Sequence, residues 1–309
     1  MPRKIAPLLQ FLSAILLWGL VSGCRREPAD SVIVYTSQDQ VYAEPILKQF
    51  ERQAGVKVRA VYDSEAVKTV GLVNRLLAEK EHPQCDVFWN NEELRTRQLA
   101  AEGVFEKWTA VGYRSRRVAV NTNKLPLAFA PQSWSELTNQ LWRGKVALAY
   151  PLFGTTATHF LALRQLWGQE RWQDWCRALA ANKPFLVDGN SVAARLVAKG
   201  EAWVGLTDSD DIATEQREGA PIVALPWTAE SLLVPNTVAI TRGAPHRAEA
   251  EKLFEYLQRT EVVEKLVAAN ALEGVSAPDA ANGTLRPDWS KLLAELETGA
   301  ESLKRIFLR

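Results

Sequence analysis

Histidine and cysteine, which build many catalytic and metal centres, are scarce in this chain of 309 residues. There are three of each, and none falls in an HExxH or CxxC pattern. The sequence also lacks a GxSxG nucleophile elbow, a P-loop and the glycine fingerprint of dinucleotide-binding folds. No motif therefore indicates an enzyme, which we keep only as a distant alternative.

A strong net charge is absent as well. Lys and Arg total 37 against 36 Asp and Glu, so the formal net charge is +1. Binding of nucleic acid requires a basic face, so the composition argues against a nucleic-acid partner. Apolar residues make up 47% of the chain, which is enough for a sizeable core in one large domain or two lobes. We expect Cys85 and Cys176 to be buried free thiols rather than a disulfide.

The N-terminus carries the pattern of an export signal. Arg3 and Lys4 precede an apolar run over residues 8–21, which is short for a transmembrane span of about 20 residues. The run leads into Val21-Ser22-Gly23-Cys24, which resembles the bacterial lipobox. In that motif the cysteine becomes the lipid-modified first residue of the mature protein. We therefore expect an exported protein that a lipid on Cys24 holds at a membrane.

Apolar β-prone runs alternate with segments of helical periodicity along the mature chain. Buried strands are predicted at residues 32–35, 56–62, 87–89, 146–149, 185–187 and 203–206. Strands that alternate with helices in this way predict βαβ units, in which ligands bind beyond the carboxyl ends of the strands. Two extended segments, 118–120 and 238–240, are expected to cross between two such units. The sequence thus predicts an α/β protein with two lobes around a cleft.

The pattern also predicts where the parts of the chain begin and end. Residues 1–23 are expected to be the signal peptide and residues 24–31 the lipid-anchored tether. We assign residues 32–117 and 238–309 to lobe 1 and residues 118–237 to lobe 2. The C-terminal helices are allowed to contact either lobe.

An acidic cluster follows the predicted strand 203–206. Asp208, Asp210 and Asp211 lie within four residues, and three such carboxylates repel one another unless a cation or an amine neutralises them. The alternative is a solvated acidic turn that caps the next helix. The sequence leaves both interpretations open.

Two other strand ends carry small polar residues before a helix. Gly154-Thr155-Thr156 and Asn190-Ser191 can present backbone N–H groups and polar side chains to an anion. Each segment is equally consistent with an ordinary helix cap, and Asn190 or Ser191 is the expected cap residue of its helix.

Several segments of the mature chain resemble one protein family, the extracellular solute-binding proteins of bacterial ABC importers, and in particular their ferric-iron-binding branch. The resemblance is carried by residues 34–37 (VYTS), 86–92 (DVFWNNE), 142–147 (WRGKVA), 200–203 (GEAW), 235–239 (PNTVA) and 243–246 (GAPH). It implies a two-lobed periplasmic-binding-protein-like fold of type II, in which each lobe is a mixed sheet flanked by helices and two crossing strands form the hinge. It also implies a monomer without enzymatic activity or cofactor. Its partner would be an ABC permease in the inner or cytoplasmic membrane.

The resemblance does not identify the ligand. Iron-binding members use a His, a Glu and adjacent Tyr residues, and matching by position places Asp39, Asn91, Asp210 and Asp211 there, so none of these ligands is retained. Asp39, Asp210 and Asp211 are still hard oxygen donors, which makes them candidate metal ligands for a metal ion carried as cargo. Asp208 matches an anion-binding Asn of the family, and a carboxylate there repels an anion.

Two ligand classes fit these residues. One is ferric iron or another metal with a companion anion, and the other is a small zwitterion such as an amino acid or an aminophosphonate. The candidate ligand-binding residues share positions at strand ends and helix starts: Ser37, Asp39, Asn91, Gly154, Thr155, Thr156, Asn190, Ser191, Asp208, Asp210 and Asp211.

Overall fold

The computed structural model of the protein describes residues 30–63, 70–276 and 283–308. The expected signal peptide, Cys24 and most of the tether lie outside the described residues.

Strands and helices alternate through most of these ranges. The strands are β1 Ser31–Thr36, β2 Lys57–Tyr62, β3 Val87–Asn90, β4 Phe105–Asn121, β5 Val146–Ala149, β6 Phe185–Val187, β7 Val204–Asp208, β8 Ile222–Ala224 and β9 Leu233–Thr241. The helices are α1 Gln40–Ala54, α2 Val70–Ala78, α3 Glu93–Ala101, α4 Gly154–Trp167, α5 Gln169–Ala181, α6 Asn190–Ala198, α7 Ser209–Arg217, α8 Arg247–Leu257, α9 Thr260–Ala268 and α10 Trp289–Phe307.

Two mixed sheets share one long strand. In the first sheet β1 lies between the parallel strands β2 and β3, and β9 runs antiparallel between β3 and β4. In the second sheet β5 lies between the parallel strands β6 and β7, and β7 and β8 pair antiparallel with β4. The parallel strands therefore turn their carboxyl ends to one edge of each sheet, where ligands of such sheets collect.

The shared strand is much longer than the sequence predicted. An extended segment was expected at 118–120, whereas β4 has 17 residues, from Phe105 to Asn121. Charged residues such as Arg114, Arg116 and Arg117 interrupt the apolar alternation, which hides the strand from a reading of hydrophobic periodicity. β4 pairs with β9 over its first part and with β7 over its last part, so it connects the two sheets.

Each sheet has its own apolar core. One core packs α1, α8 and α9 against the first sheet and includes Phe50 and Leu253, while a second lies on its other face around Phe88. The largest core covers the second sheet with α4 and α5, and the buried face of α10 joins it through Leu296 and Leu303. The assignment of residues to lobes stays a prediction, but this packing puts α10 beside α4 and α5.

Both expectations for the thiols agree with the structure. Cys85 and Cys176 are buried and free. Burial raises the pKa of the Cys85 thiol to about 12, so this group stays protonated and unreactive at neutral pH.

A glycine at the junction of the two crossing strands cannot be replaced without strain. Gly112 has a φ of +71° at a register shift between β4 and β9. A Cβ atom there would lie 2.5 Å from Leu272 Cδ1 and 3.0 Å from the Gly274 carbonyl oxygen. Gly103 has a similar φ of +73° but has no such neighbour within 4 Å.

We predict that Gly112→Ala lowers the free energy of unfolding by more than Gly103→Ala does. Alanine in the left-handed region costs each variant about 1–2 kcal/mol of folding free energy. Only Gly112→Ala adds a clash, worth about 1–3 kcal/mol more. Chemical denaturation of both variants measures the difference, and equal losses would contradict the packing described for Gly112.

Candidate functional site

A polar pocket lies where the carboxyl ends of strands from both sheets meet. It holds about 580 Å³ of space, part of which is open to solvent. Asp39 and Asn91 follow β1 and β3, whereas Tyr150, Asp188 and Asp208 come from the ends of β5, β6 and β7. The pocket is therefore at the position that the rule for open α/β sheets predicts.

Two helices begin at this pocket without a side-chain cap. The N-cap residue of α4 is Phe153 and that of α6 is Gly189, and neither side chain caps the helix. The first backbone bonds within the helices run from Ala157 N to Phe153 O, 3.1 Å, and from Ala193 N to Gly189 O, 3.2 Å. The N–H groups of the first turn of each helix precede these bonds, which is the arrangement found in anion sites at helix N-termini.

The expected cap of α6 was wrong. Asn190 is the first residue of the helix and not its cap. Its side-chain oxygen accepts hydrogen bonds from Arg116 Nη1 at 2.8 Å and Thr156 Oγ1 at 3.0 Å instead. The side chain of Asn190 thus ties the start of α6 to α4 and to β4.

Asp208 is the centre of the hydrogen-bond network beside the pocket. It lies opposite Arg116 in the register of β7 and β4, and Arg116 Nη1 donates to its Oδ1 at 2.8 Å. Its Oδ2 accepts from Thr155 Oγ1 at 2.8 Å and from Asn190 Nδ2 at 3.2 Å. Arg114 Nη2 lies 3.3 Å from the same oxygen. Asp208 therefore connects both helix starts to the two arginines.

The two arginines decide the charge of Asp208. Burial by itself raises the pKa of this carboxyl, but Arg114 and Arg116 outweigh burial and hold the pKa below its usual range. Asp208 is thus an ionised group whose charge is compensated. The repulsion that the sequence predicted between Asp208 and an anion is reduced accordingly.

Asp210 and Asp211 have less compensation. Arg114 Nη1 donates to Asp210 Oδ2 at 2.6 Å, yet burial still raises the pKa of Asp210 to about 6. Asp211 accepts from Thr207 Oγ1 at 3.1 Å, and burial together with the charges of Asp210 and Asp208 raises its pKa well above the usual value. Asp211 is the member of the cluster that lines the pocket without an arginine in hydrogen-bond contact.

The ion-pair cluster of Arg114, Arg116 and the aspartates contains buried polar atoms without partners. Among the described residues, Arg114 Nε, Arg116 Nε and Asp210 Oδ1 are buried and have no hydrogen-bond partner. Such atoms are rare in folded proteins and often mark a site that binds something.

Residues of the first sheet reach the same pocket. Ser37 Oγ donates to Asn90 Oδ1 at 2.6 Å and accepts from Asn91 N at 2.9 Å, which fixes the loop that carries Asn91. The guanidinium of Arg114 in turn donates to the Asn91 carbonyl oxygen at 3.4 Å. Further from the pocket, Tyr42 Oη of α1 lies 2.8 Å from Thr214 Oγ1 of α7.

Most of the residues singled out from the sequence come together here. The residues that line the pocket are Asp39, Asn91, Gly154, Thr155, Thr156, Asn190, Ser191, Asp208 and Asp211. Ser37 and Asp210 do not line it, because Ser37 is buried under Asn91 and Asp210 is turned to Arg114. Whether any of them contacts a ligand stays a prediction.

The acidic cluster is neither a solvated turn that caps α7 nor a set of three carboxylates that all need an external cation. Asp208 is at the N-cap position of α7 but makes no side-chain cap bond, and it is 1% exposed, so the cluster is not a solvated turn. Two of its carboxylates, Asp208 and Asp210, are already paired with arginines of the same chain. An external cation is therefore not required by Asp208 or Asp210.

Sequence reasoning missed Arg114 and Arg116. They are two residues apart on β4, so they share one face of the strand, and that face points to the end of β7. The available signal was an alternating pair of basic residues in a long strand next to the acidic strand end. Tyr150, Phe153 and Asp188, which also line the pocket, were missed as well.

A family model of bacterial extracellular solute-binding proteins matches residues 31–269. The chain belongs to this family. The solute-binding protein is therefore exported, and its family serves transport rather than catalysis. Within the described ranges we find no candidate membrane-spanning helix.

The relatives of this solute-binding protein differ in what they are named for. The major ferric iron-binding protein of Neisseria meningitidis is 22% identical over 269 residues, which is 78% of this chain and 79% of that protein. Iron-bound HitA of Pseudomonas aeruginosa has a TM-score of 0.75 at 21% identity, and the match covers 89% and 98% of the two chains. AfuA of Actinobacillus pleuropneumoniae, with fructose-6-phosphate bound, has a TM-score of 0.78 at 23% identity, with 90% and 98% covered. At these identities the structures show the two-lobed fold of periplasmic binding proteins and not the ligand.

We predict that Arg116→Met lowers the free energy of unfolding by about 3–5 kcal/mol, because it leaves the carboxylate of Asp208 buried and less well paired. Arg116 is fully buried in its pair with Asp208. The control is Arg177→Met, which removes an arginine that is 61% exposed from its pair with Asp174, and such a pair contributes at most about 1 kcal/mol. Urea denaturation compares the two variants, and similar losses would contradict the role of Arg116.

Proposed function

We propose that this protein is anchored by lipid on Cys24 and delivers a small zwitterion, whose anionic group is a phosphonate or phosphate, to an ABC permease. The observation that carries the proposal is the division of the pocket. Two uncapped helix starts supply N–H donors to one part of it, and the carboxylates of Asp39 and Asp211 lie in the same pocket.

The anionic group of the cargo binds at the starts of α4 and α6. Backbone N–H groups and the positive ends of two helix dipoles favour a negative group there. Arg114 and Arg116 offset the charge of Asp208, so this carboxylate does not exclude an anion. Helix starts in two different βα units then contact one group, which gives both affinity and orientation.

The cationic group of the cargo faces Asp211 and Asp39. Burial raises the pKa of Asp211, and mutual repulsion within the acidic cluster and from Asp39 raises it further. An ammonium group relieves this repulsion. A cargo without an amine would leave it in place, which is why we favour a zwitterion over a sugar phosphate, whose sugar carries no positive charge.

A metal with a companion anion is the second candidate. One carboxylate oxygen from each of Asp208, Asp210 and Asp211 can lie within 4.8 Å of the others, which is a possible donor set. Against a ferric ion, Arg114 and Arg116 already occupy Asp208 and Asp210, and a trivalent ion would lie beside two buried positive charges. Tyr150 is the one phenol among the residues that line the pocket.

We expect 2-aminoethylphosphonate to raise the midpoint of thermal unfolding of the purified protein, because a ligand at 100 times its Kd adds about 2.7 kcal/mol of stability. Ferric citrate should not raise it, and a chelator should not lower it. If ferric iron stabilises the protein and a chelator reverses this effect, the proposal is wrong and the metal alternative is supported.

The variant Asp211→Asn should weaken binding of 2-aminoethylphosphonate at least about tenfold in calorimetry, since it removes the charge that pairs with the amine. The matched control is Asp174→Asn, which removes a carboxylate that is 78% exposed on α5. Equal affinity of both variants would show that the amine does not bind at Asp211.

The anchor has its own test. We predict that Cys24→Ser abolishes labelling of the protein by fatty acid in living cells and moves it from the membrane fraction to the soluble fraction. Cys85 and Cys176 remain in this variant as buried thiols, so they supply the internal control. Labelling that survives in Cys24→Ser would contradict the anchor at this residue.

A further inference from the structure

Asp208 is one of four carboxylates that line the pocket, and it accepts hydrogen bonds from side chains in the first turns of α4 and α6. Asp208 lines the pocket and is 1% exposed. An ionised carboxylate accepts hydrogen bonds and cannot donate one. The two arginines keep the pKa of Asp208 low, so it stays an acceptor at any pH near neutral.

The side chains of Thr155 and Asn190 use their hydrogen-bond donors within the network around Asp208. Thr155 Oγ1 donates its single proton to Asp208 Oδ2 at 2.8 Å, so it has no proton left for a ligand. Asn190 Nδ2 donates to Thr155 Oγ1 at 3.0 Å and to Asp208 Oδ2 at 3.2 Å. An anion bound at the starts of α4 and α6 therefore meets backbone N–H donors from the helices and acceptor oxygens from Asp208 and Thr155.

Asp208 retains capacity for one more donor. A carboxylate offers about four lone-pair sites. Oδ2 accepts from Thr155 and Asn190 and faces Arg114, whereas Oδ1 accepts one hydrogen bond, from Arg116 Nη1 at 2.8 Å. A P–OH group can fill this site, but a bare oxyanion oxygen would meet the carboxylate without a proton between them.

We infer that Asp208 is a specificity-determining residue that selects a cargo whose anionic group carries a proton, such as a phosphonate or phosphate with a P–OH, over a sulfonate, which has none. This inference rests on the proposed function. It assigns the choice between two anions of similar size to hydrogen-bond polarity and not to charge.

The experiment compares 2-aminoethylphosphonate with 2-aminoethanesulfonate in calorimetry on the purified protein. At about pH 5.5 the phosphonate is mainly singly charged, because the second pKa of such groups is near 6. Both probes then carry the same charge and the same amine, and they differ in the central atom and in the one proton that the phosphonate retains. The phosphonate should bind at least about 100-fold more tightly, since the sulfonate leaves an acceptor unpaired against it.

Variants connect the discrimination to Asp208. In Asp208→Asn the side chain gains donors, so the ratio of the two affinities should fall below about tenfold. Asp174→Asn, which also removes one negative charge, should leave the ratio unchanged. The comparison of the two probes on the unaltered protein remains decisive even if Asp208→Asn does not fold.

Three outcomes separate the inference from the proposal beneath it. Tight binding of the phosphonate alone, with the ratio lost in Asp208→Asn, supports both. Binding of both probes with similar affinity overturns the role of Asp208 and leaves the zwitterion proposal intact. Failure of both probes to bind overturns the zwitterion proposal and the inference with it.

Discussion

The buried ion pairs between Asp208 and the two arginines of β4 are the interaction on which the site depends. Arg116 and Asp208 face each other across two antiparallel strands, and Arg114 adds a second contact from the same face of β4. Without these pairs, three adjacent carboxylates would repel one another and any anion nearby. With them, the strand end keeps one ionised and compensated carboxylate, whereas Asp211 is hydrogen-bonded to the hydroxyl of Thr207.

This interaction also determines the local structure around it. Asp208 accepts hydrogen bonds from the side chains of Thr155 and Asn190 in the first turns of α4 and α6, whose N-cap positions hold Phe153 and Gly189. Neither Phe nor Gly has a side chain that can accept a capping hydrogen bond. The helix starts of α4 and α6 are therefore left open to the pocket. Asp208 thus ties the starts of both helices to β4.

Local patterns predicted much of the fold. The predicted strands 146–149 and 185–187 coincide with β5 and β6, and the predicted strand 87–89 lies within β3. The alternation of strands and helices predicted the strand ends that form the pocket. These features depend on residues close together in the chain, which is why single-sequence patterns find them.

Contacts between distant positions could not be predicted in this way. Arg116 and Asp208 are 92 positions apart, and their pairing depends on the register of β4 and β7. The cap of α6 was wrong for the same reason, since Asn190 is engaged by Arg116 and Thr156 rather than by its own helix. The acidic cluster was found, but its charge state required knowledge of the arginines.

The central claim is that the pocket holds a phosphorus-bearing zwitterion and not a metal ion. Native mass spectrometry of protein purified with its cargo, combined with elemental analysis, tests this claim most directly. The account predicts one small organic molecule per chain with phosphorus in equal amount and no stoichiometric metal. Iron or another metal at one equivalent per chain would contradict it.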